Sequence, residues 1–293
     1  MIKSLSKKFK WQNFVEDGLI RASGIITIVI LLLIVIFLIL NGFPFLLEYN
    51  FFDFLFKTDW YPLSQRYGAL PLIYGSFLVT IMSTVIAVPL SLGTALFISQ
   101  IAPPKVRTTL KVILEVLASI PSVVFGFLGI IILGPFLEGF FDARTGLNAL
   151  NASILLALMS IPTITSIAEE SLAAVPKNLK EGSLALGASK LQTMLKIILP
   201  AAQPGIIAGI MLGIGRAIGE TMTVMMVAGG SAQITANLLD PVRTMTGTIA
   251  SEMGEVIHGD EHYHALFILG LILFLITFGI NSLSSFIIRR IQK

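Results

Sequence analysis

The chain has 293 residues, of which 55% are hydrophobic and only 13% are charged, and its formal net charge is +3. Soluble globular domains carry roughly 25% charged residues, so this composition excludes a soluble protein and indicates an integral membrane protein. The sequence contains no cysteine, which excludes disulfide bonds, thiolate metal sites and cysteine nucleophiles.

Six apolar stretches are long enough to cross a membrane as helices, because a spanning helix needs about 20 mostly apolar residues. The stretches are continuously apolar rather than alternating, which excludes a barrel of transmembrane strands. We therefore predict an all-α membrane protein with six transmembrane helices. The predicted spans are residues 24–47, 71–101, 110–136, 149–169, 204–229 and 265–288.

The distribution of Lys and Arg predicts the orientation of these spans, because basic residues concentrate on the cytoplasmic side of a membrane. The two termini and the second and fourth connections together carry 15 basic residues, whereas the opposite face carries 4. Both termini are therefore predicted to be cytoplasmic.

Three segments precede the main body of the chain. Residues 1–23 are a basic cytoplasmic lead, and residues 24–47 are predicted to be an uncleaved anchor, because no A-x-A cleavage site follows them. Residues 48–70 are rich in aromatic side chains, which favour the headgroup zone of a membrane. We expect a partly interfacial element there, with a surface for a partner as the alternative. Residues 71–293 are predicted to form the core.

The early part of the third predicted span contains a proline between hydroxyl residues, in the run Ser119-Ile120-Pro121-Ser122. Proline removes a backbone donor and kinks a helix, and a membrane helix tolerates it where neighbouring groups satisfy the freed carbonyl. Ser119 and Ser122 can therefore line a polar path, or they can simply satisfy the backbone groups freed at the kink. The sequence favours neither alternative.

A polar stretch between the fourth and fifth spans, residues 176–200, carries four lysines and is predicted to be cytoplasmic. It contains two helix-start signals, each a cap residue followed three positions later by an acid or an amide. The two pairs are Asn178 with Glu181 and Ser189 with Gln192. Gly187 lies between them, where a first short helix is predicted to end. Two short helices joined at a glycine make a compact unit that suits docking to another protein.

This stretch resembles the coupling loop of bacterial ABC importer permeases. The resemblance rests on Glu181-Gly182-Ser183, then Gly187, then Ile198-Leu199-Pro200, although that family usually has alanines at the positions of Gly182 and Ser183. The resemblance implies that the loop sits in a cleft of an ATP-hydrolysing subunit. An amphipathic connector on the membrane surface is the alternative from the residues alone.

The fifth predicted span contains two charges, with Arg216 at its midpoint and Glu220 one helical turn later. A charge at the bilayer centre costs about 3 kcal/mol, so such residues seldom persist without a partner or a task. At a spacing of i, i+4 the two side chains lie on one face and are predicted to pair. The row Gly205, Gly209 and Gly213 lets a neighbouring helix approach closely. The charges are therefore predicted to face the protein interior or a water-filled cavity.

The same segment resembles the permease subunits of bacterial phosphate importers of the ABC class. The resemblance rests on two runs, Gly215-Arg216-Ala217-Ile218-Gly219-Glu220-Thr221-Met222 and Ala118-Ser119-Ile120-Pro121-Ser122-Val123-Val124-Phe125-Gly126. The residues Thr221-Met222-Thr223-Val224 resemble the PstC-type subunit rather than its PstA-type sister. The resemblance covers nearly the whole chain. It implies the type I ABC importer permease fold in the cytoplasmic (inner) membrane of a bacterium.

The function implied by this resemblance is that of a permease subunit, not an enzyme, in an importer of inorganic phosphate. The implied partners are a PstA-like sister permease, a dimer of ATPase subunits and a periplasmic or lipid-anchored phosphate-binding protein. The resemblance also implies that this chain binds no cofactor directly, because ATP and Mg²⁺ are used by the ATPase subunits. The implied coupling residues are Glu181, Gly182, Ser183, Gly187, Leu199 and Pro200.

The chemistry of the fifth span suits an anion. A guanidinium offers five donors in a fork that fits tetrahedral oxyanions, so Arg216 is the predicted anion ligand. Glu220 is expected to hold Arg216 when the site is empty and to weaken anion binding, which helps the anion to leave. The remaining candidates for the pathway are hydroxyl donors, namely Thr221, Thr223, Ser119 and Ser122.

Three alternatives stay open at this point. The first is a permease of the same type for another oxyanion or a different solute, although the two charges argue against a neutral cargo. The second is an ion-gradient transporter, which should have matching broken helices in two halves of the chain. The third is a membrane scaffold that transports nothing, which leaves the charges of the fifth span unexplained.

All three histidines lie in the last outer loop, residues 230–264, at positions His258, His262 and His264. Clusters of histidines and carboxylates bind zinc and other divalent metals. The spacing here matches no structural zinc template, so a polar loop is predicted and no metal site is assigned.

Overall fold

The computed structural model describes the backbone of residues 2–291 and the side chains of residues 18–290. It consists of helices and one two-stranded antiparallel hairpin. In chain order the elements are α1 Ile2–Glu48, α2 Phe51–Phe56, β1 Trp60–Tyr61, β2 Arg66–Tyr67, α3 Leu70–Leu96, α4 Pro104–Ser119, α5 Ser122–Leu128, α6 Gly134–Phe141, α7 Ala149–Ala173, α8 Lys177–Ala185, α9 Lys190–Thr193, α10 Leu199–Ile218, α11 Met222–Val227, α12 Met245–Glu252 and α13 Glu261–Ile291.

Six helical stretches are long and apolar enough to cross a membrane, which confirms the predicted all-α fold and the number of spans. Short π-helical turns join α5 to α6 and α9 to α10, so each of these pairs forms one stretch. The connections alternate between two ends of the bundle, which we name the hairpin end, after β1 and β2, and the α8–α9 end. The six stretches are Gly18–Glu48, Leu70–Ile101, Ser122–Phe141, Ala149–Ala173, Lys190–Ile218 and Glu261–Arg290.

The predicted bounds of the third span, 110–136, are wrong at the N-terminal side. Residues up to Ser119 belong to the separate amphipathic helix α4, and the spanning stretch begins at Ser122. Pro121 causes the break, because a residue before proline is driven out of the helical region. Ile120 accordingly has an extended backbone, with ψ at 126°.

The predicted fifth span, 204–229, is displaced along the chain by more than ten residues, because the actual stretch runs from Lys190 to Ile218. Pro204 lies inside α10 rather than at its start. At the other end the helix stops at Ile218, because the Thr246 hydroxyl and the Glu220 side chain supply the hydrogen bonds that a further helical turn would make. Arg216 therefore lies in the last turn of α10 and not at the midpoint of a span.

Helix α7 lies at the centre of the fold. The most apolar part of this helix is 61% buried, whereas the corresponding part of α1 is not buried at all. Helices α3 and α10 pack along it, and its buried face includes Ala152, Leu156 and Ile164. Helix α1 therefore lies at the periphery of the fold.

The glycine row of the fifth span makes the predicted close helix contact, and the neighbour is α7. A methyl group added at Gly209 would lie 3.1 Å from Cβ of Ile167, and one added at Gly213 would lie 2.6 Å from Cγ1 of Ile164. Only glycine therefore allows the two backbones to approach to this separation. In a membrane such close packing replaces the hydrophobic effect as a source of helix association.

Substitution of Gly213 by Ala is expected to destabilise the fold. Ile164 is 1% exposed and would have to shift to admit the methyl group, and overpacking of a filled core costs about 1–3 kcal/mol. Thermal unfolding of the purified protein in detergent measures the effect as a lowered midpoint. The matched control is Gly93→Ala in α3, where an added methyl group meets nothing within 4 Å. Equal midpoints for the two variants would contradict this account of the row.

The predicted N-terminal lead, residues 1–23, is helical from Ile2 onward and continues into the first span as α1. The side chains of residues 1–17 lie outside the described part of the chain. Helix α1 packs on α13, where Phe37 meets Phe267 edge to face at 5.4 Å. Nearby, Nδ1 of His264 lies 2.5 Å from the peptide oxygen of Asn41.

The aromatic segment after α1 divides into a buried set and an exposed set. Phe54, Trp60 and Tyr67 are at most 2% exposed. Phe54 and Tyr67 meet Phe45 edge to face, and Trp60 meets Tyr67 in the same way. Burial, aided by nearby acidic groups, raises the pKa of Tyr67 to about 12, so its phenol stays protonated at neutral pH. Other aromatic side chains of the segment are exposed, which leaves the interfacial location as a prediction. The exposed set is Phe51, Phe52, Phe56 and Tyr61.

One carboxylate, Glu252, joins the elements of the hairpin end. Its oxygens accept a bond from Nε1 of Trp60 at 3.1 Å, pair with Nη2 of Arg243 at 2.7 Å and lie 2.8 Å from Nε2 of His262. These contacts tie β1, α12 and α13 together. The three histidines have different partners, and the ring of His258 lies 4.6 Å from the ring of Tyr263 in a tilted arrangement. No cluster of three metal-binding side chains occurs in the described residues.

The substitution Glu252→Gln is expected to lower the melting temperature of the purified protein by several degrees. The Glu252 side chain is only 13% exposed, and a hydrogen bond to such a charged group contributes about 2 kcal/mol. Glu255→Gln is the matched control, since Glu255 lies three residues further on and is exposed. A loss of stability in both variants alike would show that general surface charge, rather than the contacts of Glu252, is responsible.

Candidate functional site

The candidate site lies where the helix is interrupted between α10 and α11. Residues 219–221 are not helical, and the peptide oxygen of Glu220 accepts a hydrogen bond from the Thr246 hydroxyl at 2.8 Å. In a membrane, irregular backbone is tolerated only where protein buries it or where it lines a cavity. The interruption is therefore a specific feature of the fold rather than a frayed helix end.

Arg216 lies in the last turn of α10 and is half-buried. Its Nη1 donates to Oγ1 of Thr163, in α7, at 3.2 Å. The partial negative charge at the C-terminal end of a helix favours a guanidinium there. Among residues 18–290, Arg216 forms no ion pair. Since a guanidinium has five donor hydrogens, most of its hydrogen-bonding capacity remains available to a ligand.

The predicted ion pair between Arg216 and Glu220 is wrong. Pairing at i, i+4 requires a continuous helix, and α10 ends at Ile218, between the two residues. Arg216 is held by α7, whereas the contacts of Glu220 are with residues beyond the interruption. The two charges that the sequence places one turn apart therefore have separate surroundings.

Glu220 instead stabilises the start of α11. Its Oε1 accepts a hydrogen bond from the peptide N–H of Thr223 at 3.3 Å and lies 3.4 Å from the Thr223 hydroxyl. A hydroxyl has one hydrogen to donate, and the shorter of its contacts is with the peptide oxygen of Ser122 at 2.9 Å. The predicted residues Glu220, Thr223 and Ser122 are thus brought together, and they connect the interruption to the start of α5.

The other two predicted hydroxyls form only local bonds. Ser119 is exposed, and its hydroxyl donates to the peptide oxygen of Val116 at 2.7 Å, within its own helix. The Thr221 hydroxyl donates to the peptide oxygen of Gly219 at 3.3 Å and is partly exposed. The bond of Ser119 is the one expected if this residue satisfies the backbone near the break at Pro121. Both residues keep their pathway role as a prediction.

A small cavity beside Glu220 is lined by hydroxyl residues that sequence reasoning missed. They come from α3 and from the segment leading into α12, and each is at most 6% exposed. No local pattern marks them, because the helix α12 that carries some of them follows an irregular loop. The hydroxyl residues around the cavity are Ser76, Thr80, Thr244 and Thr246.

The predicted coupling loop is a pair of short helices, α8 and α9, connected through Gly187. Gly187 has a φ of +84°, a conformation that favours glycine. The hydroxyls of Ser183 and Thr193 lie 3.0 Å apart and hold the helices together. Glu181 and Gly182 are exposed on α8.

One of the two predicted helix caps is confirmed and the other is wrong. At α9, the side chain of Ser189 accepts from the peptide N–H of Gln192, and the Gln192 side chain accepts from that of Ser189. At α8 the cap position is taken by Pro176, which makes no side-chain cap, so Asn178 lies inside the helix. Helix α9 continues through a π-helical turn into α10, so Leu199 and Pro200 lie within a continuous helical stretch.

A groove of about 430 Å³ runs between the α8–α9 pair and the end of the second span. Its lining is mostly apolar and includes Leu184, Leu191 and Met194. At its edge, Nζ of Lys180 donates to Oε1 of Gln100 at 3.0 Å. This contact links the short helices to the spanning part of the molecule.

A buried charge cluster on α7 was also missed by sequence reasoning. The carboxylate of Glu169 contacts both Arg107 and Lys111 of α4. The sequence signal was the position of Glu169 at the very end of the fourth predicted span, because a charge on the buried face of a spanning helix seldom lacks a partner.

Comparison with known families assigns this architecture. Residues 87–293 match the family of binding-protein-dependent transport system inner membrane components. The chain belongs to this family. It is therefore a multi-pass permease component of an inner membrane, and the matched region contains α4 to α13, including the α8–α9 pair and the candidate site.

Individual relatives agree with the family. The probable ABC transporter permease protein YqgH of Bacillus subtilis is 40% identical, over 77% of this chain and 74% of that protein. The phosphate transport system permease protein PstC of Mesorhizobium japonicum is 34% identical, over 98% of this chain and 93% of that protein. Among solved structures, the inward-facing MetNI methionine ABC transporter has a TM-score of 0.61 at 19% identity, over 80% of this chain and 100% of that chain. This last likeness concerns the fold, which is that of ABC importer permeases.

In this inner membrane component, Ser189→Ala is expected to loosen α9 without unfolding the spans. Loss of a serine cap costs about 1 kcal/mol, which corresponds to about fivefold faster local opening. Amide hydrogen exchange of residues 190–193 measures that opening. The Ser189→Asp variant keeps an accepting oxygen at the cap and should exchange like the unmodified protein. Unchanged exchange in Ser189→Ala would contradict the role of the capping box.

Proposed function

We propose that this chain is the transmembrane permease subunit of an ATP-driven importer that moves inorganic phosphate into the cell. The observation that carries the proposal is the half-buried guanidinium of Arg216, whose hydrogen-bond partner in the described residues is the neutral hydroxyl of Thr163. The relatives support phosphate as the cargo, because the Mesorhizobium japonicum protein that aligns with nearly the whole chain is a phosphate transport system permease protein.

An oxyanion supplies the counter-charge that Arg216 lacks. The planar fork of a guanidinium matches two oxygens of a tetrahedral anion, and such charge-assisted bonds are about twice as strong as neutral ones. The Glu220 carboxylate is bonded to the start of α11 and does not pair with Arg216, but its negative charge is proposed to weaken anion binding by repulsion over a longer distance. A phosphate held at Arg216 is then released readily when the site opens to the other side.

The hydroxyls near the interruption have two different tasks in this proposal. Thr221 is partly exposed, and its hydroxyl is bonded only to the nearby peptide oxygen of Gly219. This hydroxyl can therefore turn toward an anion at Arg216. Thr223 and Ser122 hold α11 against α5 and thereby keep Glu220 in position. Ser119 is assigned to the pathway only as a prediction.

The α8–α9 end is proposed to face the cytoplasm. In the sequence, the termini and the second and fourth connections carry 15 basic residues and the other connections carry 4, which is the asymmetry expected of a cytoplasmic face. Leu186, in the connection between α8 and α9, is 91% exposed and offers an apolar contact to a docked ATPase subunit. Glu181 and Gly182 lie on the same short helix pair.

The remaining members of the importer are proposed to be a PstA-like sister permease, two ATPase subunits and a phosphate-binding protein on the outer face. The sequence has no Gly-x-x-x-x-Gly-Lys-Ser/Thr motif, so ATP and Mg²⁺ are assigned to the ATPase subunits. This chain then acts as a conduit without enzymatic activity. When the ATPase subunits move α8 and α9, the chain closes the site to one side of the membrane and opens it to the other.

The test is uptake of radiolabelled phosphate by vesicles that contain the complete complex, with binding protein outside and ATP inside. Arg216→Gln is expected to reduce uptake at least about 30-fold, the effect of removing one partner from a desolvated charge pair, while the complex still assembles. Arg144→Gln is the matched control, because Arg144 is exposed in the connection between α6 and α7.

Other results would lead to different conclusions. Full uptake by the Arg216→Gln complex would remove Arg216 from the pathway. An unmodified complex that hydrolyses ATP but imports another oxyanion in preference would keep the permease function and reject phosphate as the cargo. Uptake that proceeds without ATP would instead favour an ion-gradient transporter.

A further inference from the structure

The most deeply buried charge among the described residues links two helices at the α8–α9 end. The side chain of Glu169, in α7, is only 3% exposed. One of its oxygens lies 2.5 Å from Nη2 of Arg107, and the other lies 2.6 Å from Nζ of Lys111. The two basic side chains stand one turn apart on α4 and are about 40% exposed. One carboxylate thus anchors two successive turns of α4.

A purely structural task does not require this arrangement. Burial of a carboxylate carries a desolvation penalty that attraction by its partners only partly offsets, and apolar residues of similar size often stabilise a fold as well or better. In α4 itself, Leu114 is the one buried side chain, so apolar packing of this helix is sparse. The charge cluster therefore adds an attachment of α4 to α7 that apolar packing does not supply.

The position of Glu169 along the chain connects it to the α8–α9 pair. Helix α7 ends at Ala173 and α8 begins at Lys177, so a displacement of α8 acts directly on the end of α7 that carries Glu169. Coulomb attraction between opposite charges falls off only with the first power of distance, so it survives small displacements. A carboxylate with two cations can therefore keep hold of α4 while the helices shift.

The opposite end of α4 leads to the candidate site. Helix α4 ends at Ser119, and Ser122 at the start of α5 accepts a hydrogen bond from the Thr223 hydroxyl through its peptide oxygen. Thr223 in turn donates its peptide N–H to Glu220. A path of chain connections and side-chain contacts thus runs from α8 through Glu169 and α4 to the interruption beside Arg216.

We propose that Glu169 is a positioning residue that transmits the movement of the α8–α9 pair to the transport site through α4. Through its two cations the carboxylate makes α4 move with the end of α7. The start of α5 follows, and with it the contact of Ser122 with Thr223. The inference rests on the proposed function, in which ATPase subunits move α8 and α9.

The first measurement is the amount of phosphate imported per ATP hydrolysed by the complete reconstituted complex. Glu169→Gln is expected to lower this ratio at least about fivefold while ATP hydrolysis continues, since the coupling between two such sites is typically of that size or larger. Glu170→Gln is the matched control, because Glu170 is the exposed neighbour with the same charge. Glu169→Asp keeps the carboxylate and should restore most of the ratio. An unchanged ratio in Glu169→Gln would overturn the proposal.

A second variant covers the case in which Glu169→Gln fails to assemble, because that change leaves two cations without their buried counter-charge. The combined variant Glu169→Gln, Arg107→Gln and Lys111→Gln removes the whole cluster and leaves no unpaired charge. The proposal expects the same loss of coupling in this variant. A normal ratio would show that the cluster only stabilises the fold.

A third measurement does not depend on the cargo. The chain contains no cysteine, so spin labels can be attached at Thr109→Cys on α4 and Ala173→Cys at the end of α7, both exposed positions. With Glu169 present, the distance between the labels should stay narrow both without nucleotide and with ATP bound. In the Glu169→Gln background the distribution should broaden when ATP binds. An equally narrow distribution in both backgrounds would overturn the inference, even if phosphate proves not to be the cargo.

Discussion

The close contact between α7 and α10 is the constraint on which the rest of the structure depends. Lipid chains are as apolar as the helices, so association within the membrane relies on packing at short distance. The glycines at 209 and 213 provide that distance, because the side chains of Ile167 and Ile164 occupy the space where their Cβ atoms would be. With α10 held against α7, Arg216 reaches Thr163. The location of the guanidinium is thus a consequence of small residues elsewhere on the same helix.

The interruption after α10 separates two charges that a continuous helix would have joined. At the break, the peptide oxygen of Glu220 accepts from the Thr246 hydroxyl and the peptide N–H of Thr223 donates to the Glu220 side chain, which makes the break stable inside the protein. Glu220 is thereby engaged with α11, and the guanidinium of Arg216 keeps its positive charge unneutralised within the described residues. For the proposed function this separation matters, because an anion competes with no internal ion pair for Arg216.

Two carboxylates organise the charges at the two ends of the molecule. At the hairpin end, Glu252 joins Arg243, Trp60 and His262, so it stabilises the folded cap over the spans. At the α8–α9 end, Glu169 holds two basic residues of a helix that has little other attachment. The first carboxylate connects elements that are also packed through apolar contacts. The second connects α4 to α7, and α4 has only one buried apolar side chain, Leu114. This sparse packing is why the carboxylate suits the transmission of movement.

The sequence by itself determined the features that depend on neighbouring residues. These are the membrane class, the six apolar helices, the capping box of Ser189 with Gln192, the turn at Gly187 and the glycine row of the fifth span. Each of these is encoded within a few residues or one helical stretch, so local physical rules suffice. The family resemblance also rested on such short runs, and it was confirmed by the match over residues 87–293.

Only the tertiary structure decided where the fifth span begins and ends, and which groups the charged side chains contact. Arg107 and Glu169 are 62 residues apart, and Arg216 and Thr163 are 53 residues apart, so no local pattern predicts these contacts. The end of a helix inside an apolar stretch likewise cannot be predicted from the neighbouring residues. It forms at Ile218 because Thr246 and Glu220 supply the hydrogen bonds that a further helical turn would otherwise provide.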